Sequence, residues 1–470
     1  MTSPPARIPF EQWDRRYADL LAQGLHEPPY GGPLRRHLQA GDDRLAQLCY
    51  DNSPAALRLW NFLLTEGDRL RQARASGDLI VGTMKDLGTV PVMVYAMDHA
   101  VAFYPDGAWW TPCMMHASTC DLALAAAAGL DESFCPVRAM AGAFLSGRQF
   151  PRPDLLVCSA GATCDDFSAI AARLETLGYP IFWWEICARR HPEAAQGKPS
   201  EGEEAVALPG GGTAPRSQVQ FVAGELERVR AQLESAAGQT LDDAVLARGI
   251  QAANEIRRRL AEICRLAFGS KICPLPALEM LIAQMLAIHF CSDRAQTLEV
   301  LTELLVEIRR RIAAGQGVLP PDAVRIYWVN PVADLRAMNL LEDCGGRLCG
   351  NDLMFAHATD EIPEDVPPLE ALARCALADP MVGPADDRAA RICREARALH
   401  AQAVIVSRIA GASHCAFEGG VISRRVGADL ALPVLEIEVP SVSDALAPSL
   451  RTRIEALIET ARRGAERSRT

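Results

Sequence analysis

Two stretches of this chain alternate short apolar runs with amphipathic helical patterns, and that alternation constrains the fold more than any other feature. In the first, "DLIVGT" (78–83), "VPVMVYA" (90–96), "DLLVCSAG" (154–161) and "PIFWWEI" (180–186) read as strands. Between them, "HASTCDLALAAAAG", closed by Gly129, "FCPVRAMAGAFLSG" and "DDFSAIAARLETLGY" read as helices. The second runs from the strand "AVRIYWVN" (323–330) through a helix opened by Pro331, the segment "RLCGND" and the helix "DDRAARICREARALHA". It continues through the strand "QAVIVSRI", the loop "AGASHC", the helix "FEGGVISRRVGADL" and the strand "PVLEIEV" to a last helix. Strands and helices of these lengths in alternation build βαβ units on a parallel sheet. The expected fold class is therefore α/β, with two Rossmann-like parallel-sheet lobes that share one topology.

The rest of the chain separates these lobes. Residues 1–77 read as a helical N-terminal extension, including a helix with Ser53 as N-cap and Pro54 at its first position. Residues 78–217 form the first lobe, whose end at 193–217 is rich in Gly, Pro and charge and reads as a surface loop. Residues 218–317 are a helical segment, with Arg and Glu runs that read as solvated faces, and 318–470 form the second lobe.

Composition excludes several function classes. A net charge of −11 disfavours nucleic acid or an anionic membrane as partner, because either wants a basic face. No stretch approaches the ~20 apolar residues of a membrane span, and the N-terminus has no secretory h-region. A cytoplasmic location is expected. The cations are almost all arginine; Lys85, Lys198 and Lys271 are the only lysines. Fifteen cysteines in a reducing compartment do not make a disulfide framework. Cys49, Cys187, Cys264, Cys273, Cys291, Cys375 and Cys393 read as small buried hydrophobes, and no CxxC pair occurs.

Three cysteines stand apart by position. Cys135 precedes Pro136 at a helix start; Cys164 and Cys415 each follow a strand by a short loop and precede a helix. Open parallel sheets bind ligands at the carboxyl ends of their strands, and a helix start favours a thiolate. Three such thiols suit an iron–sulfur cluster between the lobes; a structural zinc site and plain buried thiols are the other readings. Cys113, Cys120 and Cys158 read as packing, Cys344 and Cys349 as structural residues in a helix-capping turn. Trp109 and Trp110 read as pocket wall or core, and Asp165 and Asp166 as helix-start residues. His414, beside Cys415, is a candidate proton donor, with His116 behind it.

In order and spacing, "FCPVRAMAGAF", "DLLVCSAGATCDDFSAI", "LEDCGGRLCGNDL", "VIVSRIAGASHC" and "LEIEVPSVSDALAPSLRTRIEALIE" resemble the 2-hydroxyacyl-CoA dehydratases and the related ATP-dependent benzoyl-CoA reductases. The resemblance runs from about 105 to the C-terminus. It implies a [4Fe–4S] cluster on three cysteines, which by position are Cys135, Cys164 and Cys415. It also implies one-electron reduction of an acyl-CoA substrate, a homologous cluster-bearing partner subunit, and a separate ATP-hydrolysing iron–sulfur activator. Consistent with that activator, the chain has no GxxxxGK[ST] loop. The adjacent cysteines of double-cubane relatives have no counterpart here. The first expectation is the iron–sulfur subunit of a benzoyl-CoA-reductase-type enzyme. The alternatives are a 2-hydroxyacyl-CoA dehydratase subunit, which eliminates water by a radical route, and a non-catalytic electron-relay subunit.

Overall fold

A computed structural model describes residues 4–22, 32–38, 45–106, 117–190, 203–289, 292–439 and 447–467. The chain opens with an antiparallel pair, β1 (Arg7–Pro9) and β2 (Cys49–Asp51), around the helix Phe10–Ala22. The first four-stranded sheet holds β3 (Leu79–Met84), β4 (Ala100–Phe103), β5 (Leu155–Gly161) and β6 (Ile181–Ile186), all parallel, in the order β4-β3-β5-β6. A small antiparallel pair follows, β7 (Ala205–Ala207) and β8 (Thr213–Pro215). The second sheet holds β9 (Val324–Val329), β10 (Gly346–Asp352), β11 (Ala403–Arg408) and β12 (Val434–Glu438), again parallel, in the order β10-β9-β11-β12.

Both sheets therefore run second-first-third-fourth in chain order, and the two-lobe α/β expectation is met. The shared topology has a functional consequence. In this order the connections diverge between the first and third strands, leaving a crevice at their carboxyl ends. In the first lobe that crevice lies past Met84 and Gly161; in the second, past Val329 and Arg408. The strands are apolar enough to be covered on both faces. In β9 and β11, Tyr327, Val329, Val404 and Val406 pack under the helices Ala385–Ala398 and Gly419–Leu430, while Ile326, Trp328, Ala403 and Ile405 face the main core. That main core also takes in side chains from the N-terminal segment and from the helices Arg216–Ala237, Asp243–Gly269, Ala277–His289 and Arg294–Ala314.

Some local expectations fail for identifiable reasons. "VPVMVYA" is not a strand but the helix Val90–Tyr95. Asp86 turns the chain by accepting from the backbone N–H groups of Thr89 and Val90, and every residue from Val90 to Tyr95 is buried. An apolar run buried all round carries no period to separate helix from strand. The second strand of the lobe is instead "AVAF", Ala100–Phe103. The stretch after 202 is not simple loop, since Gly210, Gly211 and Gly212 adopt positive φ and turn β7 into β8. Pro331 does not open a helix; that helix is Arg336–Asp343. "GRLCGND" is the buried strand β10, so Cys349 is a strand residue and not part of a cap. Among the described residues no helix is long and apolar enough to cross a membrane.

Candidate functional site

The crevices of the two lobes open onto one cavity of about 120 Å³, and Cys135, Cys164 and Cys415 all line it. Each thiol arrives by a different local device. Cys135 is the N-cap of the 3₁₀ turn Pro136–Arg138, and its backbone N–H donates to Asp166 Oδ1 at 3.2 Å. Cys164 caps the helix Asp165–Thr176, and its Sγ lies 3.7 Å from Asp166 Oδ2. Asp166, expected only as a helix-start residue, thus braces both first-lobe cysteine loops. Cys415 sits in the short helix Ser413–Phe417, 3.3 Å from Met354 Sδ. Cys158, by contrast, is fully buried inside β5, as a packing residue should be.

The lobes are pressed together at Gly411. Its φ is +82°, and a Cβ there would lie 2.7 Å from the Phe134 carbonyl carbon and 2.9 Å from the Cys135 nitrogen. Only glycine lets the Cys415 loop approach the Cys135 loop so closely.

The two first strands end alike but are used differently. Lys85 follows β3 and Asn330 follows β9, both at φ 73°. Asn330 is fully engaged: its Nδ2 donates to the carbonyls of Ser407 (2.7 Å) and Cys415 (3.3 Å), and its Oδ1 accepts from Arg388 (2.7 Å). Arg388 is held in turn by Asp352 (2.9 Å) and Glu418 (2.7 Å). Lys85 is 1 % exposed and lines the thiol cavity, and its Nζ has no hydrogen-bond partner among the described residues. A left-handed conformation suits Asn but costs a lysine ~1 kcal/mol or more.

Helix-start placement predicts thiols with a depressed pKa; the structure reverses that. Burial pushes Cys415 up to about 12 and Cys135 well above the ordinary thiol value. It also raises Cys164, against the pull of the nearby Lys85 ammonium and of helix-start N–H groups. Desolvation of the buried thiols outweighs the helix-end charge. Lys85 is lowered by the same burial to about 8, with Cys164 and Asp379 opposing the shift.

His414 lines the same cavity and lies near the buried Asp379, which burial raises to about 6. Apolar side chains including Met285, Ile288 and Phe355 form much of the remaining wall. Among the described residues, no three His, Cys, Asp or Glu side chains converge closely enough to hold a single metal ion. His116, Cys113, Trp109, Trp110 and Cys291 lie outside the described residues. Sequence reasoning missed Lys85 and Gly411, although a lysine standing directly after a strand in so arginine-rich a chain is a signal.

The sequence profile of the family described as 2-hydroxyglutaryl-CoA dehydratase, D-component, matches residues 89–461, well over half of the chain. The chain belongs to this dehydratase D-component family. Cys135, Cys164, His414 and Cys415 all fall inside the family span, and Lys85 lies just ahead of it. A comparison with curated proteins returned no match.

Proposed function

We propose that the chain is the cluster-bearing subunit of a 2-hydroxyacyl-CoA dehydratase-type enzyme, with Cys135, Cys164 and Cys415 holding a [4Fe–4S] cluster. The observation that carries this reading is the meeting of three thiols, from three separate loops of two lobes, on one cavity wall. Soft thiolates spread around a cavity suit a polynuclear iron–sulfur cluster, whose irons face different sides. Family membership favours the dehydratase over the benzoyl-CoA reductase, because the family's own description is a dehydratase component.

When bound, such a cluster supplies one electron at low potential for reduction of the acyl-CoA thioester. The chain's own residues do the rest. Met285, Ile288 and Phe355 give the cavity an apolar wall, which disfavours water beside a strongly reducing centre. His414 sits at the wall where it can hold a proton for a leaving hydroxyl group. Asp166 fixes the two first-lobe thiol loops relative to each other. The "component" in the family's description fits a multi-subunit enzyme, and we include in the proposal a homologous cluster-bearing subunit and a separate ATP-hydrolysing activator.

Anaerobic purification tests the cluster. About four irons and four sulfides per chain are expected, lost on Cys164→Ala; bound zinc without sulfide would refute the reading. Turnover with activator and ATP then tests the reaction. Loss of water from a 2-hydroxyacyl-CoA is expected, and reduction of benzoyl-CoA alone would move the assignment to the reductases.

A further inference from the structure

Among the described residues, the ammonium of Lys85 is a cavity feature that neither the fold nor the three thiols explain. It is buried to 1 % exposure, and its Nζ has no hydrogen-bond partner among the described residues. A buried ammonium is costly unless something negative accompanies it. Its backbone is held at φ 73°, a conformation that lysine does not choose for itself. The second lobe shows what the same position does when its role is purely structural. Asn330, at the same φ after the first strand of its sheet, satisfies itself within the protein by bonding Ser407, Cys415 and Arg388. Composition points the same way. Only three lysines stand in a chain with 48 basic residues, and one of them is here. An ammonium is a compact point charge on a flexible stem, which can turn its three donors toward one bound group.

We propose that Lys85 is a positioning residue for the group bound by Cys135, Cys164 and Cys415, its ammonium donating into the cavity to offset that group's negative charge. This rests on the cluster reading above. Three thiolates bring negative charge into a low-dielectric site, and each added electron adds more. A fixed cation beside them favours the reduced state and holds the anionic group in place.

The test uses the full chain, purified anaerobically with any partner that accompanies it. Lys85→Met, Lys85→Arg and Lys85→Gly are compared with Lys271→Met, an exposed lysine elsewhere. Lys85→Gly matters because glycine adopts φ 73° without strain, so that variant folds if the side chain has no structural task. Iron and sulfide content, thermal unfolding of the metal-free chain, and the midpoint potential by electron paramagnetic resonance are measured. Lys85→Met and Lys85→Gly are expected to unfold no earlier than the parent in metal-free form, since a desolvated ammonium without a hydrogen-bond partner among the described residues is gone. Their reduction equilibrium is expected to fall at least tenfold, 59 mV for a one-electron couple, with Lys85→Arg closer to the parent and Lys271→Met unchanged. Loss of iron from folded Lys85→Met but not from Lys85→Arg would equally support the proposal. An unchanged potential with iron retained, an equal shift in Lys271→Met, or failure of Lys85→Gly to fold would overturn it. A parent chain without iron and sulfide would refute the cluster reading itself, which separates the two failures.

Discussion

Gly411 shows how much of the site hangs on single residues. It carries no functional group, yet it sets the distance between the loops of Cys135 and Cys415, because any Cβ there would press on the Phe134–Cys135 peptide. Gly411→Ala is expected to cost about 2–4 kcal/mol, from left-handed strain plus overpacking against backbone that cannot rotate away. Gly238→Ala isolates the strain alone, since Gly238 has φ +65° with nothing within 4 Å of the added methyl, and should cost about 1 kcal/mol. Denaturant unfolding of the two variants checks the difference. Iron content should fall in Gly411→Ala only. Asp166 belongs beside it: Asp166→Ala should lower iron retention by freeing both first-lobe cysteine loops, whereas Asp165→Ala, on the solvent side of the same helix start, should not.

At the scale of elements, the helix Val90–Tyr95 repays the most thought. It is too short to form on propensity, and it begins where the Asp86 carboxylate accepts from Thr89 N, Thr89 Oγ1 and Val90 N. Asp86→Ala removes these acceptors and leaves buried donors unmet, at an expected cost of about 2–3 kcal/mol. Asp86→Asn keeps one acceptor oxygen and should cost less; urea unfolding distinguishes them. This element also marks where sequence reading stops. β5, with the helix Asp165–Thr176 behind it, and β11, with the helix Gly419–Leu430 behind it, were legible because a fully apolar strand passes abruptly into an amphipathic helix. Val90–Tyr95 was not, because its surroundings bury every face. β7–β8 was hidden for the opposite reason, a short hairpin with little apolar content, built on three glycines.

At the scale of the molecule, the N-terminal segment joins the rest through buried charge. Asp51 of β2 meets Arg311 at 2.5 and 2.9 Å, and Glu279 accepts from Asp51 N and Trp60 Nε1. Glu342 accepts from Ala277 N and meets Arg7 at 3.1 Å. Burial, reinforced by Asp51, pushes Glu279 up to about 8, and burial pushes Glu342 up to about 7 against the pull of Arg7. Both folded values exceed the ordinary 4.5, so between pH 4.5 and about 7–8 the folded chain binds protons that the unfolded chain releases. Stability should therefore fall as pH rises through that window, by about 1.4 kcal/mol per pH unit for each proton. Glu279→Gln imitates the protonated acid and should flatten the fall above pH 7 in unfolding curves. The sequence alone determined the two parallel-sheet lobes, the family, and that Cys135, Cys164 and Cys415 stand at helix starts, because periodicity and punctuation are local. Tertiary structure alone decided that these cysteines share a cavity, that burial raises rather than lowers their pKa, and that Lys85 points among them. Those depend on where two lobes separated by the 100 residues of 218–317 come to rest, and desolvation is a property of that packing, which no local pattern encodes.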